Sequence, residues 1–242
     1  MQIAPELLKP LAEVRLASAP VAVAFLATPP PGLERIGRPD PASCGYWKQA
    51  SEGHAFYTTA DDHGNCAVGA FTHGVALSPA QGQDLQALVG TMVELKYLKS
   101  DEVPMIPHRT EPLTVAAYAP LSEATFDPDL VVFRGNVRQI MLLSEAARAA
   151  GVFEATAVMG RPACAMLPHT ITTGGAVASV GCIGNRVYTG LGDDELYLTL
   201  PGGSVTTVLE NLAATLNANA ELETFHRQRA AQLSWFPAPG AP

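Results

Sequence analysis

Apolar residues recur along this chain with two different periods, and the change from one to the other outlines the predicted secondary structure. Short apolar runs bounded by glycine, proline or asparagine indicate strands, and they cover residues 21–26, 54–59, 67–72, 113–118, 130–133, 153–158 and 195–198. Spacings of three and four residues indicate helices, and they cover the first twenty residues (kinked near Pro10), then 46–51, 78–99, 137–150, 205–217 and 220–233.

Two of these helices begin with clear capping signals. Ser78 can cap the helix that follows it, and Gln81 stands where a side chain reaches back to complete a capping box. Asn136 and Gln139 repeat this arrangement, and Gly151 stands just past the end of the second helix, where a left-handed cap favours glycine. We therefore expect two well-defined helices at these positions.

The order of the elements predicts an α/β or α+β fold. We expect a single domain over residues 1–236, with a mixed sheet and with helices at both ends. A chain of 242 residues is long enough to bury such a core. Residues 237–242, rich in proline, are predicted to be a disordered tail.

Two stretches, 20–76 and 129–176, share one order of features. Each contains a strand, a helix and a strand, then a Cys-Ala-apolar step with a histidine a few residues later. A duplication would put Cys66 and Cys164 at equivalent positions, facing each other across a pseudo-two-fold axis. The identity is thin and the same rhythm arises by chance, so both interpretations stay open at this point.

The composition excludes several classes of partner. Charged residues make up 16% of the chain and the net charge is −8, whereas binding to nucleic acid phosphates needs a surplus of Lys and Arg. No apolar run approaches the ~20 residues that span a bilayer, and the N-terminus lacks the basic region of a secretory signal. We expect a cytoplasmic protein that binds neither nucleic acid nor membrane.

Four cysteines are the most informative residues, because each lies among glycine, asparagine or histidine, with no CxxC pair. They are Cys44, Cys66, Cys164 and Cys182. Glycine-rich loops let the backbone approach a metal closely, and soft thiolates hold Zn²⁺ or iron–sulfur clusters. The sequence predicts that these thiols share one metal site. The alternatives are a smaller reactive set, thiols that only pack, or disulfides if the chain is exported.

Polar residues near the cysteines extend the predicted site. His63 and His73 each suit a mixed ligand or a proton shuttle, although a capping or surface role suits either one as well. The turn 181–186 has two glycines that expose backbone donors, and an arginine that can grip a carboxylate or phosphate or form an internal ion pair. With the polar turn before Cys66, it supplies the residues predicted to bind a cofactor or small anion: Asn65, Gly181, Gly184, Asn185 and Arg186.

Familiar motifs of nucleotide-dependent and hydrolytic enzymes are absent from the sequence. There is no GxGxxG after a strand, no Walker loop, no HExxH and no GxSxG. These classes of enzyme are therefore disfavoured.

Several segments together carry a resemblance to a known family. They are GNCAVG at 64–69, PDLVVF at 128–133 followed by QIM at 139–141, GRPACA at 160–165, GCIGNR at 181–186 and DDELY at 193–197. The chain resembles, over roughly residues 15–220, the bacterial and archaeal family named domain of unknown function 169. The resemblance implies a cytosolic single-domain protein whose cysteines recur as a set. It implies no established reaction, so no catalytic role follows from it.

We therefore expect a metalloprotein whose cysteines bind an iron–sulfur cluster, or alternatively copper or zinc, beside a pocket for a small anion. If the protein is an enzyme, we expect redox or Lewis-acid chemistry on a small molecule. If it transfers electrons, we also expect a redox partner. Two alternatives stay open: a non-enzymatic protein that stores, traffics or senses a metal such as copper, and a metal-free enzyme with a cysteine nucleophile.

Overall fold

A seven-stranded sheet forms the centre of the fold in the computed structural model, which describes residues 3–153 and 160–232. The strands are β1 (Val21–Leu26), β2 (Glu34–Arg35), β3 (Phe56–Thr59), β4 (Val115–Pro120), β5 (Leu130–Asn136), β6 (Val177–Ser179) and β7 (Glu195–Pro201). The helices are α1 (Pro5–Val14), α2 (Ser43–Ser51), α3 (Ala67–Thr72), α4 (Pro79–Glu94), α5 (Val137–Ala149), α6 (Met166–Thr173), α7 (Ile183–Thr189) and α8 (Val205–Gln232).

The strands lie in the order β2-β3-β4-β1-β5-β7-β6. The short strands β2 and β3 pair in parallel, and the other neighbouring pairs are antiparallel, for example with Val23 opposite Tyr118 in β1 and β4. The predicted mixed sheet with helices towards both ends of the chain is confirmed.

Helices cover both sides of the sheet. In β1, Ala22 and Ala24 face a core formed with α1, α5 and α8, whereas Val21 and Val23 face a core formed with α2, α3 and α6. Successive side chains of a strand point to opposite faces, so the alternation along β1 produces three layers. We call the side covered by α2, α3 and α6 the thiol face, because cysteines pack there.

The prediction of a strand at 67–72 is wrong, because this segment forms helix α3. The Sγ atom of Cys66 accepts the backbone N–H of Gly69 at 3.3 Å and caps the helix. At the other end, the Thr72 hydroxyl donates to the Gly69 carbonyl at 3.0 Å. These local hydrogen bonds outweigh the strand preference of the valine, phenylalanine and threonine in the segment.

The two helices predicted at 205–217 and 220–233 form one continuous helix, α8, as far as the structure describes them. Asn217 and Asn219, which in the sequence suggest a break, both lie within this helix. The Asn217 amide donates to Glu221 at 2.9 Å, and the Asn219 amide donates to the Thr215 carbonyl at 3.0 Å. The strand predicted at 153–158 and the tail predicted at 237–242 lie outside the described residues, apart from residue 153.

Helix α4 begins as predicted but ends earlier, and it lies on the surface. Ser78 and Gln81 form both bonds of the capping box, at 3.3 and 2.9 Å. The helix ends at Glu94, because Lys96 adopts a left-handed φ of 57°. No residue of α4 is buried, whereas Leu98 beyond its end is. We call α4 together with the chain up to Pro107 the arm (79–107).

The two stretches suggested as repeats put their helices on opposite sides of the sheet, with α2 on the thiol face and α5 on the other. Most of the last strand of the second repeat lies outside the described residues, so the duplication stays a prediction. None of the helices in the described parts of the chain has both the length and the apolar character needed to cross a membrane.

Candidate functional site

All four cysteines lie where a helix or a 3-10 turn begins. Cys44 is in the first turn of α2, Cys66 directly precedes α3, and Cys182 directly precedes α7. Cys164 lies in the 3-10 turn Ala163–Ala165 that leads into α6. Helix α2 contacts α3, α7 and this turn, and α3 also contacts the turn. The packing of these short elements therefore brings the four cysteines to one region of the thiol face.

The two buried thiols, Cys44 and Cys164, lie close enough to the other cysteines for these to raise their pKa. Burial raises the pKa of Cys44 to about 12, and the nearby Cys66 and Cys182 add to the rise. Burial also raises the pKa of Cys164 well above its ordinary value, and the other three thiols contribute. All four are free of disulfides. Cys44 and Cys164 are buried, whereas Cys66 and Cys182 are partly exposed.

The partly exposed thiols each accept a backbone hydrogen bond. Gly69 N–H donates to Cys66 at 3.3 Å, and Asn185 N–H donates to Cys182 at 3.5 Å. Among residues 3–153 and 160–232, no three or more His, Cys, Asp or Glu side chains are arranged to hold a metal ion. The thiols are thus neighbours on one face, but their side chains are not in a ligating arrangement.

His63 lies in a buried chain of hydrogen bonds beside the cysteines. Its Nδ1 is 3.0 Å from the Ser43 hydroxyl, and its Nε2 is 2.9 Å from the Thr58 hydroxyl. Thr58 donates to the Ala116 carbonyl at 3.3 Å, so it accepts from Nε2 and Ser43 donates to Nδ1. Burial, with a contribution from His73, lowers the pKa of His63 well below its ordinary value. His63 is therefore neutral, and both of its nitrogens are engaged.

His73 is also fully buried, but one of its nitrogens is free. Its Nδ1 lies 2.7 Å from the Gly69 carbonyl and donates to it, which leaves Nε2 as the unprotonated nitrogen. Nε2 has no hydrogen-bond partner in the described part of the chain. Burial lowers the pKa of His73 to about 4; the bond to Gly69 opposes this shift and the charge of Arg109 adds to it. A neutral imidazole with a free nitrogen is the form that binds metals.

Asn185 connects two of the cysteines and is 2% exposed. Its N–H donates to Cys182, and its side chain faces Cys44 and opposes part of the rise in the pKa of that thiol. The side-chain amide of Asn185 does not have hydrogen-bond geometry to the sulfur of Cys44. Its Nδ2 and Oδ1 atoms lack any partner among the residues described. Trp47 Nε1 and Tyr118 Oη, on the same face, also lack one. Each such buried atom costs about 1–3 kcal/mol, so the thiol face carries several polar groups that lack a partner among the described residues.

The turn before Cys66 is held by an ion pair. Asp62 accepts from Arg35 Nε at 3.0 Å and from the Thr59 N–H at 2.8 Å. Burial opposes ionisation of Asp62, but these bonds outweigh it and hold the pKa of the carboxyl below its ordinary value. Asn65 is exposed and donates to the Asp40 carbonyl at 3.3 Å. Its predicted role in binding stays a prediction, since this contact only fixes the turn.

The predicted anion site at 181–186 is engaged mainly with its own surroundings. The Arg186 guanidinium donates to the carbonyls of Val180 at 2.8 Å and Gly192 at 3.0 Å. Gly181 is needed for its left-handed φ of 74°, and Gly184 lies in the first turn of α7. The roles of Arg186 and the two glycines as anion ligands stay predictions.

A cavity of about 660 Å³ opens beside Cys182. One wall is formed by the arm, and the other by residues 160–161 and the turn 181–186. A volume of this size is within the range of about 300–1,000 Å³ that is typical of small-molecule sites. We call it the Cys182 cavity.

Sequence reasoning missed the buried hydroxyl groups of the thiol face and the contribution of the arm. Ser43, Thr58 and Tyr118 are at most 1% exposed. The signals were present, since Ser43 directly precedes Cys44 and Thr58 is a polar residue in a predicted strand. The contacts between them depend on which loops meet across the sheet, and a single sequence does not give that information.

Comparison with known proteins provides the family. The profile of domain of unknown function 169 (DUF169), described as uncharacterised ArCR, matches residues 11–211. An uncharacterised protein of Methanocaldococcus jannaschii is 30% identical over 162 residues, which cover 64% of this chain and 68% of the relative. No solved structure matches the chain. Because the family profile spans most of the sequence and includes all four cysteines, the chain belongs to the DUF169 family.

Proposed function

We propose that this protein binds a thiophilic metal ion or an iron–sulfur cluster through Cys44, Cys66, Cys164 and Cys182. The observation that carries the proposal is the gathering of four free thiols, from four separate elements, on one face of the sheet. Thiolates are the preferred ligands of zinc, cuprous copper and iron–sulfur clusters. Widely spaced cysteines suit a site built within a folded domain, because no ligand pair depends on a single local turn.

The burial of two thiols supports a metal more than a free nucleophile at those positions. A thiol with a pKa raised to about 12, as at Cys44, stays protonated at neutral pH. A bound cation reverses this preference, because its charge favours the thiolate and displaces the proton. The buried pair, Cys44 and Cys164, would therefore become ionised only together with metal binding.

The proposal requires the side chains to turn towards a common centre, because no ligating group exists among the described residues. His73 and Asn185 support this requirement. The Nε2 of His73 is buried without a hydrogen-bond partner among the described residues, and so is the side-chain amide of Asn185, which faces Cys44. Such atoms are rarely left unpaired in proteins. A bound group would supply the partners that the protein does not.

The same site suits several metals and uses. An iron–sulfur cluster on four thiolates favours electron transfer to a redox partner, whereas an open coordination position favours Lewis-acid chemistry on a small molecule. Copper or zinc bound by all four thiols fits a protein that stores, traffics or senses the metal.

A second candidate function follows from the position of Cys182. This thiol is partly exposed and lines the Cys182 cavity. A metal-free enzyme with Cys182 as nucleophile would use that cavity for its substrate. The buried Cys44 and Cys164 have no role in such a mechanism, so we favour the metal site.

Anaerobic purification followed by metal and sulfide analysis tests the proposal. We expect either broad visible absorption with acid-labile sulfide, which indicates a cluster, or a colourless protein with about one bound zinc or cuprous ion per chain. A protein that contains no metal and takes up neither zinc, cuprous ion nor iron with sulfide under reducing conditions would contradict it and favour the cysteine nucleophile.

A further inference from the structure

The Cys182 cavity is lined by residues from segments far apart in sequence. One wall carries apolar and aromatic side chains of the arm, and the opposite wall carries Cys182 and two arginines. The arm contributes Tyr97, Leu98, Glu102 and Ile106, and the opposite wall contributes Arg161 and Cys182. A ligand of matching chemistry has an apolar body and a polar group at one side.

Two arginines and one glutamate are among the described residues that line the cavity. Arg161 pairs with Glu102 at 3.1 Å, and Arg186 pairs with Asp193 at 3.5 Å. The cavity therefore offers an anion guanidinium donors rather than a net positive charge.

Arg161 is a cation that a ligand can reach. Arg186 is already engaged by backbone carbonyls and by Asp193. In contrast, the Arg161 side chain is 43% exposed, and its guanidinium contacts the Glu102 carboxylate at 3.1 Å. The guanidinium also lies 5.1 Å from the centre of the Tyr97 ring, which orients it within the cavity. The Arg161–Glu102 pair is exposed, so it is weak and readily exchanged for a competing carboxylate.

We propose that the Cys182 cavity binds a small organic acid. Its carboxylate replaces Glu102 on Arg161, and its apolar or aromatic body lies against Leu98 and Ile106 of the arm, with its far end beside Cys182. The proposal of a carboxylate site depends only on the cavity. The further idea that the acid is a substrate next to a metal rests on the proposed function. If Cys182 ligates a metal, the bound acid is delivered to the exposed edge of that site.

Alkylation of the metal-free, reduced protein tests this proposal without involving the metal. Iodoacetate and iodoacetamide both react by attack of the thiolate sulfur on the CH₂ carbon; an S–C bond forms, iodide leaves and the thiol proton goes to the buffer. Only iodoacetate carries a carboxylate. Peptide mass spectrometry gives the rates at Cys182 and at Cys66, the other partly exposed thiol. We expect the iodoacetate-to-iodoacetamide rate ratio at Cys182 to fall about fivefold in Arg161→Gln, with no change at Cys66.

Two variants control this result. Arg138→Gln also removes one cation and one ion pair, because Arg138 contacts Glu223 at 2.7 Å. Arg138 does not line the cavity, so this variant should leave the iodoacetate-to-iodoacetamide ratio at Cys182 unchanged. Glu102→Gln removes the competing carboxylate, so the ratio at Cys182 should rise. Damage to the fold would not raise this ratio.

Benzoate, which offers a ring and a carboxylate, should slow alkylation of Cys182 by iodoacetamide in the wild type but not in Arg161→Gln.

The proposal is overturned if the ratio at Cys182 is the same in wild type, Arg161→Gln and Glu102→Gln, or if benzoate protects Cys182 equally with and without Arg161. Loss of metal binding in the anaerobic test would leave these alkylation results unaffected, so the two proposals fail separately.

Discussion

Cys66→Ser and Cys182→Ser are expected to lose bound metal while the metal-free protein stays folded and at least as stable as the wild type. Each cysteine accepts a backbone N–H at the start of a helix, and serine is among the best residues for that position. A serine hydroxyl does not ionise at neutral pH and is a poor ligand for soft metals. Changing a residue that only hydrogen-bonds to a metal ligand costs about 10–100-fold in metal affinity, so loss of a ligand itself should cost at least as much.

These losses are measured as metal per chain after equilibration with a competing chelator, together with urea unfolding of the metal-free variants. Met166→Leu is a matched control, because Met166 is fully buried on the thiol face near Cys164 and the change conserves volume. It should retain its metal. Serine variants that retain the metal and spectrum of the wild type would show that Cys66 and Cys182 are not ligands.

Gly69→Ala is expected to destabilise the protein by about 1–3 kcal/mol through overpacking. A Cβ atom at this position would lie 2.2 Å from the Ser43 hydroxyl oxygen, 2.6 Å from Ser43 Cβ and 3.1 Å from the sulfur of Cys66. Helices α2 and α3 meet at this point, so the change separates the elements that carry Cys44 and Cys66. The free energy of unfolding from urea titrations measures the effect.

Gly82→Ala provides the matched control for this change. Gly82 also lies in a helix, α4, but a Cβ atom there meets nothing within 4 Å. Alanine favours helices over glycine by up to about 1 kcal/mol, so Gly82→Ala should stabilise the protein slightly. Equal effects of the two substitutions would contradict the close contact between α2 and α3.

The sequence predicts elements best where a local signal determines them. The capping boxes that begin α4 and α5 were both readable, and both pairs of hydrogen bonds are present. The strand at 67–72 was wrong because a cysteine, which is an uncommon cap, begins α3. The break near Asn217 was wrong because hydrogen bonds to Glu221 and to other partners compensate for the low helix propensity of asparagine.

The candidate site is predictable in its residues but not in its arrangement. The glycine-rich surroundings of the cysteines pointed to a shared site, and the structure puts the four thiols on one face; their ligation of a metal stays a prediction. The free nitrogen of His73 and the unpartnered amide of Asn185 depend on contacts between distant loops. The Cys182 cavity depends on how the arm packs, and the periodicity of the arm gives no information about its neighbours.

X-ray absorption spectroscopy of the metal-loaded protein, at the edge of the metal that it retains, tests the central claim most directly. We predict three or four sulfur atoms bound directly to the metal, at about 2.3 Å if the metal is zinc. A first shell composed only of nitrogen and oxygen would contradict a site built from the four thiols.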